Sequence, residues 1–126
     1  MRIYLIGPVR HASQEMVIKL NDRVQALEMA GHTVYYPARD TRQDASELEI
    51  AAQNRDAIVA ADLVLFTWDG ESEGCLFDLG VAFALEKMVQ PLPSLMPALT
   101  EEKSFQRFVV EYYDAVNALL RHDDAE

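Results

Sequence analysis

The amino-acid sequence predicts an α/β sandwich built around a mostly parallel sheet. Short, β-rich apolar runs alternate with segments of helical periodicity along the whole chain, an order typical of strand–helix–strand units. The 126 residues contain no internal repeat and no linker, so we predict a single domain over residues 1–126. Half of the residues are hydrophobic and a quarter are charged, as in an ordinary soluble globular domain.

The first strand and helix are bounded by clear signals. RIYLI (residues 2–6) is short, apolar and β-rich, and it stops at a Gly-Pro pair, which predicts a strand that runs into a loop. Ser13 is a good helix N-cap, and apolar residues then recur at helical spacing as far as Gly31, a good C-terminal stop.

The second strand and helix follow the same plan. HTVYYP (32–37) predicts a strand that ends at Pro37, and ARDTRQDA (38–45) predicts a polar loop. Ser46 and Glu49 fit a capping box. We therefore expect a helix that begins there and continues to about Ala61.

The third and fourth units complete the sheet. DLVLFTW (62–68) predicts a buried strand, DGESEG (69–74) a loop, and CLFDLGVAFALEKM (75–88) a helix despite its internal glycine. VQPLPSL (89–95) predicts a strand at an edge of the sheet, because its prolines cannot donate to a neighbouring strand.

A last helix follows the proline-containing segment PALTEE. Its predicted apolar face comprises Phe105, Phe108 or Val109, Tyr112, Val116 and Leu119. Two interpretations of its aromatic residues stay open: simple core packing, or packing against a partner chain as well as the core.

Charge and composition exclude several classes of function. The net charge of −10 argues against long nucleic acid as a partner, since phosphate backbones require clustered Lys and Arg. A single small phosphate is still possible, because backbone N–H groups and one arginine can hold it. No apolar run approaches the ~20 residues of a membrane span. With a single cysteine and no signal-peptide pattern, we expect a cytoplasmic protein.

Three polar loops define the expected site. They are GPVRHAS (7–13), PARDTRQD (37–44) and DGESEG (69–74), and each follows a predicted strand. Ligands of parallel sheets bind at the carboxyl ends of the strands. The first loop has no dinucleotide or P-loop fingerprint, yet Arg10 near a helix start can receive an anion. The alternative is a plain capped turn.

Asp78 is the carboxylate that stands out. It lies about one turn inside a predicted helix, among Leu76, Phe77 and Leu79. A carboxylate near a helix N-terminus is stabilised by about 0.3–1 kcal/mol, which explains its charge but not its apolar neighbours. Such neighbours should desolvate it and raise its pKa, as at many functional sites.

The remaining candidates have ordinary alternatives. Cys75, at a helix start, is either an activated thiolate or, more often, a small packing residue. Tyr4 fits simple strand packing, and Asn54 and Asp56 fit a solvated helix face. The Cys and His residues lack metal-ligand spacing, so we predict no metal site and no cofactor.

Two segments together resemble a known superfamily. IYLIGPVR (3–10) and NRDAIVAADLVLFTWDGESEGCLFDLGVAFAL (54–85) are similar to the nucleoside 2-deoxyribosyltransferase superfamily, which includes deoxynucleoside 5′-monophosphate N-glycosidases. The resemblance implies a flavodoxin-like three-layer sandwich with a mostly parallel sheet of four or five strands, assembled as homodimers or larger homo-oligomers. It also implies cleavage of an N-glycosidic bond through a carboxylate nucleophile, with the sugar passed to another base or to water.

The resemblance assigns catalytic roles position by position. Asp78 occupies the place of the nucleophilic glutamate of the superfamily, one methylene shorter. Tyr4 matches the tyrosine that contacts or orients the nucleophile. Asn54 occupies the place of an aspartate that helps to protonate the base, and an amide cannot act as a general acid. Asp56 or Asp40 could take over that role.

The resemblance also favours a nucleotide substrate. Ser72 stands where the monophosphate hydrolases carry serine and the nucleoside transferases carry aspartate, which would repel a 5′-phosphate. Arg10 matches an arginine of the hydrolases' phosphate loop. The expected substrate-binding residues are Gly7, Pro8, Arg10, Asp40, Ser72 and Gly74.

We therefore expect hydrolysis of a (deoxy)nucleoside 5′-monophosphate to release the free base. Base exchange by a true deoxyribosyltransferase and a non-catalytic nucleotide-binding protein are the alternatives. The two departures, at Asp78 and Asn54, motivate the second alternative. The sequence leaves the base and the sugar open.

Overall fold

The structure, a computed structural model, describes residues 1–124, with side chains described as far as Leu119. Residues 125 and 126, which the single-domain prediction includes, lie outside the described residues. Within the described part, the strands are β1 (Arg2–Ile6), β2 (Thr33–Tyr35), β3 (Leu63–Phe66) and β4 (Val89–Pro91). The helices are α1 (Gln14–Met29), α2 (Pro37–Asp40), α3 (Glu47–Ala60), α4 (Glu73–Ala84) and α5 (Phe105–Asp124), and a 3₁₀ turn, Pro93–Leu95, follows β4.

The four strands form one parallel sheet in the order β2-β1-β3-β4. Tyr4 of β1 pairs with Tyr35 of β2 on one side and with Val64 of β3 on the other. This arrangement confirms the predicted α/β fold with a parallel sheet. Because all strands run the same way, the loops that follow β1, β2 and β3 emerge at one edge.

Alternate residues of β1 face opposite layers of the sandwich. Ile3 and Leu5 pack in a core cluster with Leu20 and Val24 of α1. Tyr4 and Ile6 pack in a second cluster, with residues of α3, α4 and α5. A strand covered on both faces is apolar without interruption. The unbroken run in RIYLI therefore has a direct structural cause, and it puts the hydroxyl-bearing Tyr4 on the α3–α4 side.

The helix starts follow the predicted caps, with two differences. Ser13 Oγ accepts the N–H of Met16 and Ser46 Oγ accepts that of Glu49. The helix predicted to begin at Cys75 starts at Glu73, because Ser72 serves as its N-cap. The predicted polar loop after β2 contains the short helix α2, which begins at a proline whose fixed φ suits a first helical position.

The edge strand of the sheet and the end of α1 also agree with the predictions. The strand β4 is short and lies at the edge of the sheet, where its Pro91 removes no needed donor. Gly31 after α1 has φ +97°, the left-handed conformation that glycine adopts without strain.

Among the described residues, no helix is both long and apolar enough to cross a membrane.

The last helix turns to the core Val109, one of the two alternatives in its predicted apolar face, and Tyr113, which lies outside that face. Val109 and Tyr113 are buried, whereas Phe105, Phe108 and Tyr112 are 68%, 39% and 44% exposed. Both stripes are apolar, and neighbouring helix residues point about 100° apart. Periodicity alone therefore could not choose between them. The exposed rings of Phe108 and Tyr112 stack at a centroid distance of 5.4 Å.

Candidate active site

A cavity of about 630 Å³ lies at the carboxyl edge of the sheet, within the range of ~300–1,000 Å³ typical of small-molecule sites. The loops that follow β1, β2 and β3 all contribute to it, as predicted, together with faces of α3 and α4. Six of the expected site residues line it: Gly7, Arg10, Asn54, Ser72, Gly74 and Asp78.

Asp78 sits at the cavity with one oxygen held from behind. The hydroxyl of Tyr4, a fully buried residue of β1, donates to Asp78 Oδ2 at 2.8 Å. Within the described residues, Oδ1 of Asp78 accepts no hydrogen bond, and the residue lines the cavity. The carboxylate is therefore fixed in orientation, with its second oxygen available to a ligand.

The pKa of Asp78 reflects this half-buried position. Burial among apolar side chains raises it from 3.8 to about 6, and the hydrogen bond from Tyr4 partly opposes that rise. The same burial, together with the nearby carboxylate, raises the pKa of Tyr4 far above its ordinary value, so its hydroxyl stays a donor. Near neutral pH the site therefore holds an ionised, poorly solvated carboxylate, which is the state that a nucleophile requires.

The loop before α4 is held by its own side chains. Asp69 Oδ1 accepts the backbone N–H groups of Glu71 and Ser72 at 3.0 and 2.8 Å. The indole N–H of Trp68 donates to the carbonyl of Ser72 at 3.1 Å. Ser72 Oγ accepts the N–H of Cys75 at 3.3 Å, which leaves its hydroxyl proton available. A ligand at this rim therefore meets a preformed loop with a hydroxyl donor.

Asn54 reaches the cavity from α3 with a fixed carboxamide. Its Oδ1 accepts a 2.6 Å hydrogen bond from the hydroxyl of Thr41, which is only 4% exposed. The hydroxyl of Tyr35 lies 2.7 Å from the same Thr41 oxygen. The ring of Tyr35 in turn stacks on that of Tyr4, with centroids 5.6 Å apart. The groups that hold Asn54 and Asp78 are thus in direct contact.

Asp56 and Asp40, the two candidate substitutes for an acid at position 54, are not brought to the cavity. Asp56 is an exposed residue of α3 that pairs with its neighbour Arg55 at 3.1 Å. Asp40 accepts the backbone N–H of Tyr36 and pairs with Arg39, and it borders a second, separate cavity of about 250 Å³. The expectation that either assists the base thus has no geometric support.

The two remaining loop residues of the first turn serve packing. A Cβ on Gly7 would lie 2.9 Å from a methyl carbon of Leu20 and 3.2 Å from Thr67 Oγ1, so a larger residue here would force these two side chains to move. Pro8 is fully buried and is not among the lining residues. The predicted contact of Gly7 with a ligand is compatible with its place at the cavity wall, whereas Pro8 supports the loop from beneath.

Cys75 belongs to the core. It is 2% exposed, and burial raises the pKa of its thiol to about 12. A thiol that stays protonated is a poor nucleophile. The packing interpretation of this cysteine is therefore the one that the structure supports.

Several lining residues were absent from the predicted site. On α3, Glu47, Ile50 and Ala51 share the cavity face with Asn54. They precede Asn54 by seven, four and three residues, which is a helical spacing that could have identified this face once Asn54 was a candidate. On the first loop, His11 lines the cavity with φ 58°, a left-handed conformation in which histidine is enriched.

The charge of the cavity wall is mostly negative. Its carboxylates are Glu47, Asp69, Glu71, Glu73 and Asp78. Among the described residues that line it, the basic side chains are Arg10 and His11. These acids repel an anionic ligand, and the two basic side chains of the first loop are the groups that attract it.

The sequence matches one known protein family. The sequence model of the family described as nucleoside 2-deoxyribosyltransferase matches residues 3–120, nearly the whole chain. No curated protein matches this chain significantly.

Solved structures share the fold at low sequence identity. A 2-deoxyribosyltransferase from Bacillus psychrosaccharolyticus has a TM-score of 0.60 at 22% identity, over 82% of this chain and 77% of that one. The Clostridium botulinum CMP N-glycosidase BcmB has a TM-score of 0.62 at 20% identity, over 80% and 76%. A 2-desoxiribosyltransferase from Leishmania mexicana has a TM-score of 0.57 at 22% identity, over 72% and 63%.

Proposed function

The chain belongs to the nucleoside 2-deoxyribosyltransferase family, and we propose that it hydrolyses the N-glycosidic bond of a (deoxy)nucleoside 5′-monophosphate. The family comprises enzymes that act on small nucleosides or nucleotides. The observation that carries the proposal is the Tyr4–Asp78 pair. A buried tyrosine hydroxyl holds one oxygen of a desolvated carboxylate that lines a cavity of about 630 Å³.

The proposed reaction is a double displacement. Oδ1 of Asp78 attacks the anomeric carbon of the sugar, and the glycosidic electron pair leaves with the base. The charge on Asp78 is neutralised as it forms an ester with the sugar. Water then attacks the same carbon, loses its proton to solvent or to the departed base, and releases the sugar with regeneration of the carboxylate. The net reaction consumes one water and retains configuration.

The shorter side chain at position 78 requires a close approach of the sugar to α4. Gly74, one turn before Asp78, offers no Cβ on that side of the helix start, and the atom nearest to an ideal Cβ position there is Ser72 Oγ, at 3.8 Å. The space beside Gly74 is therefore open. We infer that the sugar and its 5′ substituent lie over this first turn of α4.

Binding of the 5′-phosphate is assigned to the rim between the first loop and α4. Arg10 offers a guanidinium, Ser72 a hydroxyl proton, and the first turn of α4 its free N–H groups. The positive end of a helix dipole favours an anion at this position. Water as the acceptor of the sugar fits a cavity that opens directly to solvent at exposed residues such as Glu71 and Phe77.

Base exchange is the second candidate, and the acidic cavity wall favours it. Glu71 and Glu73 flank Ser72 and would repel a phosphate dianion, whereas an uncharged nucleoside meets no such cost. In that case the glycosyl-enzyme would pass its sugar to a second base instead of water.

A panel of nucleosides and their 5′-monophosphates tests the proposal. Free base is followed by chromatography, with labelled base added in a parallel reaction. Release from monophosphates alone supports hydrolysis, and incorporation of labelled base supports exchange. Measurable binding without release of any base would contradict both candidates and would leave a non-catalytic nucleotide-binding protein.

Assembly as a homo-oligomer is part of the same proposal. The exposed rings of Phe83, Phe108 and Tyr112 contact one another edge-to-face or stacked, at centroid distances of 5.4–5.8 Å. An exposed aromatic patch of this kind marks an interaction surface, and we assign it to a second copy of the chain. Light scattering should give a dimer or larger species, reduced to a monomer by Tyr112→Lys. A wild-type monomer at micromolar concentration would refute this assignment.

A further inference from the structure

Asn54 is held by a short chain of hydroxyl groups that has only one consistent direction. Thr41 has one hydroxyl proton, and it is donated to Oδ1 of Asn54 at 2.6 Å. The contact of 2.7 Å between Tyr35 and Thr41 must then be donated by Tyr35. Protons therefore point from Tyr35 to Thr41 to Asn54, so that Thr41 Oγ1 and Asn54 Oδ1 each accept one hydrogen bond from within the protein.

This direction fixes what Asn54 offers to a ligand. Its carbonyl oxygen faces Thr41, so its NH₂ group is the part of the carboxamide that is left for the cavity. Among the described residues, Nδ2 of Asn54 donates to no protein atom. Thr41 is 4% exposed, so water cannot readily replace its hydroxyl in this role. The site thus presents the NH₂ group as a neutral hydrogen-bond donor at position 54.

A neutral donor suits only some leaving groups. When the glycosidic bond breaks, the electron pair develops as negative charge on the base, and a donor stabilises that charge without giving up its proton. A pyrimidine carries a carbonyl next to the glycosidic nitrogen and spreads the charge onto that oxygen. A purine leaves best after protonation of its ring, and a carboxamide cannot supply that proton.

We propose that Tyr35 and Thr41 are positioning residues that lock the NH₂ group of Asn54 towards the cavity, and that they select substrates whose base carries a 2-carbonyl, the pyrimidines, over purines. The inference rests on the proposed function, because it concerns the base that leaves when Asp78 attacks. It adds to that function the class of base, and it assigns Tyr35 and Thr41 a role in positioning Asn54 without contact with the ligand.

The test compares kcat/KM for pyrimidine and purine 2′-deoxynucleoside 5′-monophosphates in three variants. Thr41→Val keeps the shape and removes the hydroxyl, Thr41→Ser keeps the hydroxyl, and Tyr35→Phe keeps the ring that stacks on Tyr4. Wild type should favour pyrimidines. In Thr41→Val that preference should fall about tenfold or more, mainly through kcat, as expected for one oriented hydrogen bond. Thr41→Ser should restore it, and Tyr35→Phe should lie between.

Asn54→Asp supplies the opposite change. Thr41 would still donate to one carboxylate oxygen, but the group facing the cavity would become an acceptor that can carry a proton. In Asn54→Asp we expect the turnover of pyrimidine substrates to fall. The turnover of purine substrates should increase at acidic pH, where the new carboxyl group carries a proton. Equal losses on both classes of base in every variant, or full activity of Thr41→Val, would overturn the inference.

A binding measurement separates this inference from the proposed function. Calorimetry on Asp78→Asn, which should not turn substrate over, reports the part of the preference that is already present on binding, when the NH₂ group of Asn54 donates to the neutral 2-carbonyl of a pyrimidine. If wild type releases no base but Asp78→Asn binds pyrimidines in preference, with the preference lost on adding Thr41→Val, the inference stands and the proposed function fails. If base is released without any such preference, the function stands and the inference fails.

Discussion

The hydroxyl of Tyr4 lies 2.8 Å from Oδ2 of Asp78, although the two residues are 74 positions apart in the chain. Tyr4 is fully buried in β1, and Asp78 lies at the cavity in the second turn of α4. The hydrogen bond thus connects a central strand of the sheet to the carboxylate that we propose as the nucleophile. This hydrogen bond and the pKa of Asp78 determine how activity and stability should depend on pH.

The pH profile of the enzyme should follow the ionisation of Asp78. Burial raises its pKa from 3.8 to about 6, and only the ionised carboxylate can attack. We therefore expect kcat/KM to rise as pH increases through about 6 and then to level off. The measurement is base release from about pH 4.5 to about pH 8.5, a range that brackets this pKa. A profile that is already flat below about pH 5 would contradict the assignment.

Tyr4→Phe should move that limb of the profile to higher pH. The hydrogen bond from Tyr4 favours the ionised carboxylate, so its loss raises the pKa of Asp78 further, by about 1 pH unit for one hydrogen bond to a charged group. We expect kcat at about pH 8 to fall about tenfold as well, because the nucleophile loses its fixed orientation. Phe keeps the buried ring, so the control is an unchanged circular dichroism spectrum. An unshifted profile would show that the pair does not tune Asp78.

Asp78→Asn should stabilise the protein while it abolishes activity. The folded-state pKa of Asp78 lies above its unfolded value, so the folded protein binds the proton more tightly. Stability is therefore highest at low pH and falls as pH rises from 3.8 to about 6. At about 1.4 kcal/mol for each pH unit, the full cost at neutral pH is about 3 kcal/mol. Asparagine avoids this cost and can still accept from Tyr4.

Urea unfolding at about pH 8 and at about pH 4 measures the effect. The variant should gain up to about 3 kcal/mol at the higher pH and little at the lower one. Asp56→Asn, an exposed residue paired only with Arg55, is the matched control and should change stability by less than about 1 kcal/mol at both pH values. A gain that is the same at both pH values would show that Asp78 is not the group responsible.

Ser72→Gly should distinguish a phosphate site from a simple helix cap. Glycine caps a helix almost as well as serine, so the change removes the hydroxyl at a cost of only a few tenths of a kcal/mol. We expect kcat/KM to fall about tenfold for a 5′-monophosphate and little for the nucleoside. Ser46→Gly, the corresponding cap of α3, is the control. Equal losses for the two substrates would remove Ser72 from phosphate binding.

The sequence alone predicted the parallel sheet, the three convergent loops and the apolar surroundings of the Asp78 carboxylate. These follow from local rules: strand and helix periods, and the apolar neighbours of one acid. The partnership of Tyr4 with Asp78 came only through the resemblance, because no local pattern connects residues so far apart in the chain. The Tyr35–Thr41–Asn54 chain was not predicted at all, since hydroxyl contacts across a sheet edge depend on side-chain geometry.

Where the structure gives a sequence-based expectation no support, the causes are equally physical. Asp56 is two residues after Asn54, which turns it about 200° around α3 and away from the cavity. Asp40 is used to bind the backbone N–H at the start of α2, a helix that the polar sequence concealed. On α5, two neighbouring stripes are both apolar, and only tertiary packing placed Val109 and Tyr113 inward.

The central claim is that Asp78 is the nucleophile, and the most direct test is the rate of base release by Asp78→Asn beside Asp56→Asn under identical conditions. The account predicts a loss of at least about 10³-fold for Asp78→Asn, in line with the removal of other covalent nucleophiles. Asp56→Asn should keep wild-type activity. Base release by Asp78→Asn at a rate within about tenfold of wild type would contradict the account.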